Sequence, residues 1–216
     1  MANGGELYTT GVSRFPHAQF LISAAAPVQF PADHGAEVAF VGRSNAGKSS
    51  AINAITQRQG LARTSKLPGR TRLLNFFELG AQRRIVDLPG YGYASAPEAE
   101  QRTWKPIIEA LKGRRSLRGL FVIVDARRGV TAGDEGLLEW SAPEHRIHVL
   151  LSKADKLNRS EGMKVLREAS AALTAHQATV QLFSAHSKAG VEEAQNVLAG
   201  WLAERTPETK NPGDAL

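Results

Sequence analysis

The sequence contains no cysteine and no apolar run long enough to cross a lipid bilayer. Without cysteine, the 216 residues can form no disulfide bond and can hold no metal through a thiolate. The apolar stretch 20–28 is shorter than the ~18 residues that a membrane-spanning helix needs, so we expect it to be packed against the protein. The first residues also lack the basic and then apolar pattern of a secretory signal. These absences predict a cytoplasmic protein with no membrane span.

Acidic residues are fewer than basic ones, 21 against 27, which gives a formal net charge of +6. This excess suits a polyanionic partner, because Lys and Arg release counterions when they bind phosphates. A basic domain that binds no nucleic acid explains the composition equally well. The basic residues cluster in three places, at Lys112, Arg114, Arg115 and Arg118, at Arg63, Lys66, Arg70 and Arg72, and at Arg127 and Arg128. Each cluster taken alone is more typical of a solvated surface than of a binding face.

Short apolar runs alternate with longer segments of helical period along most of the chain. We predict strands at 37–41, 73–79, 83–88, 119–125, 147–152 and 180–184. We predict helices at 49–55, 97–113, 132–140, 160–176 and 190–204. The buried stripe predicted for the last helix is Val191, Ala194, Val197, Leu198 and Trp201. Apolar strands separated by helices indicate an α/β fold, with about six mostly parallel strands and helices on both faces. We expect one domain at 20–204, with an N-terminal extension at 1–19 and a flexible tail at 205–216.

A glycine-rich loop with the spacing G-x-x-x-x-G-K-[ST] lies between a predicted strand and a predicted helix. Its residues are Gly42, Arg43, Ser44, Asn45, Ala46, Gly47, Lys48 and Ser49. In such a loop the backbone N–H groups turn towards the β-phosphate of a nucleotide, and the following helix adds its positive end. Lys48 would reach the β- and γ-phosphates, and the Ser49 hydroxyl would bind Mg²⁺. The alternative is a chance match, which the flanking strand and helix disfavour.

A second polar segment follows the strand at 147–152, where ligands bind in open α/β sheets. Its residues are Ser152, Lys153, Ala154 and Asp155. The Asp155 carboxylate can accept hydrogen bonds from N1–H and the exocyclic amine of guanine, whereas adenine presents no such donor pair. The Lys153 stem can lie along the base. A simpler interpretation, that Asp155 caps the following helix, stays open at the level of sequence.

Two further segments also follow predicted strands. The first contains Asp87, Leu88, Pro89 and Gly90, and the second contains Phe183, Ser184 and Ala185. An aspartate in the first position can hold Mg²⁺ through water, and the glycine N–H can reach the γ-phosphate. A plain turn explains a D-x-P-G string in isolation, but its position downstream of a phosphate loop favours nucleotide chemistry. The second segment could present backbone amides to the guanine carbonyl oxygen.

Together these segments resemble the sequential motifs of P-loop GTPases, and their finer pattern is similar to the EngB family of bacterial GTPases. Besides the phosphate loop, the resemblance is carried by 67–71 (LPGRT), 74–77 (LNFF), 87–94 (DLPGYGYA) and 152–155 (SKAD). It spans roughly residues 20–202 and implies a three-layer P-loop GTPase fold. It also implies a switch that hydrolyses GTP to GDP during ribosome assembly, with the large subunit favoured and with a role in normal cell division. The implied partners are a guanine nucleotide and ribosomal RNA or a pre-ribosomal particle, and a monomer is favoured.

The resemblance also implies roles for individual residues. Lys48, Thr71 and Asn45 would take part in catalysis, and Ser49 and Thr71 would hold Mg²⁺. Further nucleotide contacts are implied for Gly69, Arg70, Thr71, Arg72 and Leu73. In related GTPases an asparagine at the place of Asn45 helps to bind potassium; the alternative is an ordinary loop residue.

Tyr91 stands where many small GTPases have a glutamine that orients the attacking water. Because tyrosine is a poor group for that task, we predict slow intrinsic hydrolysis. The same residue keeps open a second hypothesis, a nucleotide-gated RNA- or protein-binding module whose hydrolysis is incidental. A P-loop kinase or ATPase is disfavoured because a guanine-type motif is present and no lid-like arginine pattern stands out.

Overall fold

The computed structural model describes residues 13–63, 73–90, 106–131, 134, 138 and 145–203. Within these residues, seven strands form one sheet. They are β1 (Gln19–Ala24), β2 (Ala36–Gly42), β3 (Leu74–Gly80), β4 (Arg83–Asp87), β5 (Leu117–Asp125), β6 (Arg146–Ser152) and β7 (Thr179–Leu182). Their spatial order is β1-β3-β4-β2-β5-β6-β7, with β2 near the centre.

The sheet is parallel from β4 through β2, β5 and β6 to β7. Among the described strands, only β3 runs opposite to the others: it forms a hairpin with β4 and pairs antiparallel with β1. The hairpin turns at Gly80 and Gln82, both of which have positive φ angles. Strand β2 is buried along its whole length, as expected for a parallel strand covered on both faces.

Helices cover the two faces of the sheet and give it three layers. They are α1 (Lys48–Thr56), α2 (Arg159–Leu173) and α3 (Val191–Ala203), together with the helical segment 106–112. Ile52 of α1 and Leu198 of α3 belong to one apolar cluster. Leu111 of the segment 106–112 and Leu173 of α2 belong to the other. The predicted three-layer α/β fold is therefore confirmed.

Two sequence-based expectations about packing were only partly correct. The stretch expected to be packed contains β1, a seventh strand at the edge of the sheet, where Phe20 is 54% exposed. Its run of apolar residues has no period-2 alternation, so the pattern did not indicate a strand. In α3 the fully buried stripe includes Gln195 and Leu202, whereas Val197 and Trp201 are only partly buried. The Gln195 side chain donates to the carbonyl oxygen of Ile55, which explains how a polar residue is buried there.

Several predictions lie wholly or partly outside the described residues. These are the basic cluster and nucleotide contacts at 64–72, the segment 91–105 and the tail. Of the helix predicted at 97–113, the structure shows 106–112, and of the helix at 132–140 it shows helical Asp134 and Leu138. Before β1, Phe15 and Ala18 already pack into the core. In the part of the chain that the structure describes, no helix has the length and apolarity to cross a membrane.

A buried ionic network lies at the end of the sheet where the parallel strands begin. The Glu37 carboxylate is fully buried and accepts hydrogen bonds from Arg84 Nε at 2.7 Å and Arg114 Nε at 2.7 Å. Arg114 also donates to the carbonyl oxygen of Pro31 at 2.9 Å and lies over the ring of Phe30. Arg114 is therefore a structural residue, and its inclusion in a surface basic cluster was wrong.

Candidate nucleotide-binding site

The loops that carry the predicted motifs meet at the carboxyl end of the parallel strands. The phosphate loop follows β2, residues 88–90 follow β4, residues 153–158 follow β6 and residues 183–190 follow β7. These strands lie side by side with β5 in between. Ligands bind at this edge of an open α/β sheet, so the topology brings the motifs to the expected place.

The phosphate loop has the backbone that its sequence predicts. Asn45 and Gly47 have φ angles of 64° and 99°, and Gly47 is the residue before α1. Asparagine and glycine are the residues that tolerate this left-handed conformation best, so Asn45 has a backbone reason for its place. Gly42 is needed because a Cβ there would lie 2.7 Å from the carbonyl oxygen of Ile123. The first turn of α1 then points its positive end into the loop.

Lys48 and Asp87 form an ion pair at the base of the loop. Their side chains are only 12% and 8% exposed. Burial raises the pKa of the Asp87 carboxyl, and the charge and hydrogen bond of Lys48 oppose that rise. Leu88 donates its N–H to the carbonyl oxygen of Phe40, which aligns the strand end with β2. Gly90 lies so close that a Cβ would approach Ser44 N and Cα to 3.1 Å.

Two hydrogen bonds connect the segment 152–155 to the phosphate loop. Ser152 donates its hydroxyl to the carbonyl oxygen of Ala46, and Lys153 Nζ donates to the carbonyl oxygen of Asn45 at 2.7 Å. Ser152 is only 3% exposed, so its hydrogen bond to Ala46 is shielded from water. The two bonds hold the predicted guanine loop and the predicted phosphate loop in one rigid arrangement.

Asp155 is held in place by the loop after β7. Ser184 Oγ donates to Asp155 Oδ1 at 2.7 Å, and Ala154 N donates to the carbonyl oxygen of Phe183 at 3.1 Å. The hydrogen bond from Ser184 lowers the pKa of the Asp155 carboxyl, with a further contribution from Lys156. An ionised, oriented carboxylate is what a pair of guanine N–H donors requires.

Asp155 does not cap the following helix. The N-cap of α2 is Asn158, whose side chain accepts from Glu161 N at 3.0 Å, and the Glu161 carboxylate accepts from Asn158 N. This capping box satisfies the start of the helix without Asp155. The helix-cap interpretation was therefore wrong. The Asp155 carboxylate instead accepts a hydrogen bond from Ser184 and forms an ion pair with Lys156.

The sequence analysis did not identify Asp125 and Arg127 as site residues. Asp125 ends β5, and its carboxylate accepts from Arg127 Nε at 2.9 Å, from Arg127 Nη2 at 2.6 Å and from Lys153 Nζ at 2.9 Å. The hydrogen bonds of Arg127, followed by those of Lys153, keep the pKa of Asp125 far below its usual range. The strand-end rule that selected Asp87 applies equally to Asp125 and could have found it.

The structure thus brings together the described members of the predicted site. They are Gly42, Arg43, Ser44, Asn45, Ala46, Gly47, Lys48, Ser49, Asp87, Leu88, Pro89, Gly90, Ser152, Lys153, Ala154, Asp155, Phe183, Ser184 and Ala185. Leu73 lies just before β3. Gly69, Arg70, Thr71, Arg72 and Tyr91 lie outside the described residues. A cavity of about 100 Å³ beside the phosphate loop is lined by residues that include Arg43, Asp125 and Lys153.

Strand order, phosphate loop and guanine-type loop define a P-loop GTPase. A family model described as "50S ribosome-binding GTPase" matches residues 37–153. The probable GTP-binding protein EngB of Coxiella burnetii (strain RSA 331 / Henzerling II) is 48% identical over 192 residues, which are 87% of this chain and 94% of the relative. That of Azoarcus sp. (strain BH72) is 49% identical over 206 residues, covering 93% and 99%. The chain belongs to the EngB family of GTP-binding proteins and is a GTPase that binds guanine nucleotides.

Solved structures support the fold independently. The crystal structure of a probable GTP-binding protein EngB has a TM-score of 0.62 at 23% identity and covers 79% of this chain and all of that one. The structure of Era with MgGDPNP and nucleotides 1506–1542 of 16S ribosomal RNA has a TM-score of 0.60 at 19% identity, covering 84% and 60%. At these identities the comparison shows a shared GTPase fold.

Proposed function

We propose that this GTPase is a switch that acts in the cytoplasm during assembly of the large ribosomal subunit, and that normal growth and division depend on it through that role. The observation that carries the proposal is the match to a family described as 50S ribosome-binding GTPases. The net charge of +6 supports it, because ribosomal RNA is a polyanion. The proposed GTPase domain comprises residues 20–204, and Phe15 and Ala18 extend its packed core.

We further propose that the nucleotide lies across the loops after β2, β4, β6 and β7. The phosphate loop with Lys48 would bind the β- and γ-phosphates, and Asp155 would accept two hydrogen bonds from guanine. The Lys48–Asp87 ion pair supports this arrangement, because it places the amine at the base of the loop. The Ser184–Asp155 bond supports it by fixing the acceptor. Gly69, Arg70, Thr71, Arg72 and Leu73 complete the proposed contacts.

The donors at this site fit Mg²⁺. The Ser49 hydroxyl is in the first turn of α1 and the Asp87 carboxylate is at the end of β4, which gives two hard oxygen donors. Within the described residues no cluster of three or more acidic, histidine or cysteine side chains could hold a metal unaided. Mg²⁺ commonly takes one or two protein oxygens and completes its shell with phosphates and water. We propose that Ser49 and Thr71 bind it directly, that Asp87 acts through water, and that the ion would neutralise phosphate charge.

Asn45 is the proposed contact for a potassium ion during hydrolysis. Its carbonyl oxygen is already engaged by Lys153, so the amide side chain is the group that would contribute. Rates measured in KCl and NaCl test this role. A faster rate in KCl that is lost in Asn45→Ala supports it, and equal rates in the two salts would remove it.

The role of Asp155 is tested by changing the base that the protein prefers. In Asp155→Asn the amide presents a donor where the carboxylate accepted, so affinity for GDP should fall by about 100-fold or more while affinity for XDP rises. The reason is that xanthine carries a carbonyl where guanine carries the amine. Titration with labelled GDP, XDP and ADP measures the change. Lys164→Ala on the exposed face of α2 is the control. Tight ADP binding by the unchanged protein would contradict guanine specificity.

The ribosomal role is tested by sedimentation with 50S particles. We expect co-sedimentation in the presence of a non-hydrolysable GTP analogue and release in GDP, because a switch binds its target in one nucleotide state. For Asp155→Asn, co-sedimentation and release should depend on xanthosine nucleotides instead of guanosine nucleotides. Co-sedimentation that ignores the nucleotide, or none at all, would overturn the proposal.

The second candidate is a nucleotide-gated binding module whose hydrolysis is incidental. The observation that favours it is Tyr91, which stands in sequence where a water-orienting glutamine is common. Single-turnover hydrolysis with and without 50S particles separates the two candidates. Acceleration by the particles supports the switch, and an unchanged slow rate together with nucleotide-dependent binding supports the module.

A further inference from the structure

One carboxylate outside the proposed nucleotide contacts organises the side chains around it. Asp125 is 7% exposed, and its Oδ2 atom is shared by two cations, Arg127 Nη2 at 2.6 Å and Lys153 Nζ at 2.9 Å. The Arg127 Nε donates to the other carboxylate oxygen, so the guanidinium binds in a two-point fork. Such a fork fixes the plane of a carboxylate more firmly than a single contact does.

The carboxylate in turn fixes Lys153. The Lys153 amine lies between Asp125 Oδ2 and the carbonyl oxygen of Asn45, and both contacts are shorter than 3 Å. Asn45 belongs to the phosphate loop, whereas Lys153 is two residues from Asp155 in the guanine loop. A continuous chain of contacts therefore runs from Arg127 through Asp125 and Lys153 to the backbone that would cradle the phosphates.

This series of contacts contributes little to the stability of the fold; its main effect is on the position of the Lys153 amine. The side chains of Arg127 and Lys153 are 50% and 31% exposed, and ion pairs made by such exposed cations contribute little to folding. Their main effect is to hold one lysine amine in a single place. A lysine stem with four rotatable bonds would otherwise sample many rotamers and lose entropy on binding.

We propose that Asp125 is a positioning residue for nucleotide binding, oriented by Arg127. It holds the Lys153 amine against the Asn45 carbonyl, so that the base-binding loop and the phosphate-binding loop are preorganised as one unit. The proposal rests on the proposed nucleotide contacts of Lys153 and Asp155. It adds β5 to the strands whose ends build the site, and it makes Arg127 a residue that acts on the nucleotide only through other side chains.

The test is a double-mutant cycle on the dissociation rate of labelled GDP. We expect Asp125→Asn to accelerate GDP release about tenfold, because it removes a charge-assisted contact to Lys153. Arg127→Gln should accelerate release about threefold. In a Lys153→Ala background, each of these changes should alter the rate by less than about twofold, because the side chain through which they act is gone. Asp125→Glu should restore part of the slow release.

Arg128→Ala is the matched control. Arg128 is the neighbouring arginine and is exposed, and its backbone N–H, not its side chain, contacts Asp125. Its GDP release should be unchanged, and thermal unfolding should report intact folding for every variant.

Two results would overturn the inference. One is equal acceleration by Asp125→Asn in the wild-type and Lys153→Ala backgrounds, which would indicate a general structural role. The other is an unchanged GDP release rate in folded Asp125→Asn. If Asp125→Asn does not fold, the double-mutant cycle with Lys153→Ala is measured with Arg127→Gln in its place. If neither Lys153→Ala nor Asp155→Asn weakens GDP binding, the proposed nucleotide contacts themselves are wrong, and that outcome is separate from the first two.

Discussion

At the scale of single residues, the site depends on a few positions where the backbone leaves no choice of side chain. Gly42 and Gly90 lie against other backbone atoms, and Gly47 has a left-handed φ angle. In the sequence, the spacing of the phosphate loop selected Gly42 and Gly47, and the D-x-P-G pattern selected Gly90 for its N–H group. The close approach of Gly90 to Ser44 is a contact between two loops, so no local pattern could reveal it.

Gly90→Ala should weaken GDP binding. The added Cβ would lie 3.1 Å from two backbone atoms of Ser44, so the phosphate loop or the loop after β4 must shift by a few tenths of an ångström. We expect a loss of about 1 kcal/mol of binding, which is about fivefold in affinity. Labelled-GDP titration measures this change.

Gly200→Ala is the control for Gly90→Ala. It lies in α3, and its new Cβ would meet no atom within 4 Å among the described residues. Because alanine favours the helix, the free energy of unfolding should rise by about 0.5–1 kcal/mol while GDP affinity stays constant. An equal loss of affinity in both variants would contradict the steric explanation.

At the scale of elements, the sequence predicted every described strand except β1, which lies at one edge of the sheet. Strands β2 to β7 were all predicted within a few positions, including β7 at the opposite edge of the sheet. Strand β1 was missed because its apolar residues show no period-2 alternation and it is followed by no motif. Phe20, Leu21 and Ile22 all remain exposed on it. At the end of β5, the strand-end rule could have selected Asp125, but its partners Arg127 and Lys153 come from two different loops and could not be predicted.

The pairing of β6 with β7 contains a buried histidine that should make folding stability depend on pH. His148 is 2% exposed and contacts Thr179 Oγ1 at 2.7 Å and Gln181 Oε1 at 2.9 Å. Burial lowers the pKa of His148, and the hydrogen bond with Gln181 opposes this only in part. In the unfolded chain the pKa of a histidine is about 6.5. Below that pH the unfolded state therefore binds the proton first, and stability falls as the pH drops towards the lowered pKa of the folded state.

His148→Gln removes this titration. Between about pH 7.5 and about pH 5.5, its free energy of unfolding should decrease less than that of the wild-type protein. Urea denaturation at the two pH values gives the comparison, and His186→Gln, which removes an exposed imidazole, is the control. A decrease in His148→Gln as large as in the wild-type protein would show that other groups cause the acid sensitivity.

At the scale of the whole molecule, the two ends of the sheet have different tasks. The carboxyl end of the parallel strands gathers the site, whereas the amino end holds the Glu37 network, which joins β2, β4 and the connection after the segment 106–112. Motif spacing and strand order predicted the fold class and the meeting of most candidate site residues at one edge of the sheet. The network did not, because Glu37, Arg84 and Arg114 are far apart in sequence and charged residues are expected at the surface.

Glu37→Gln should be strongly destabilising. The change leaves two nearly buried guanidinium groups without their shared carboxylate, and breaking such a buried ion pair costs about 3–5 kcal/mol. Urea denaturation measures this cost. The control is Glu78→Gln, whose carboxylate bonds Gln19 at the exposed edge and should cost less than about 1 kcal/mol. Similar losses in the two variants would show that the network adds no special stability.

The order of the strands also determines when, during translation, a growing chain can hold a nucleotide. The phosphate loop leaves the ribosome early, but β2 is completed only by β5, where Glu37 meets Leu117. The proposed acceptor for the base comes later still, since Asp155 is fixed by Ser184 after β7. A nascent chain that stops before Ser184 therefore has a loop for phosphates without a fixed partner for guanine. If the proposed contacts hold the nucleotide, we expect GTP to bind only after almost the whole domain has been synthesised and folded.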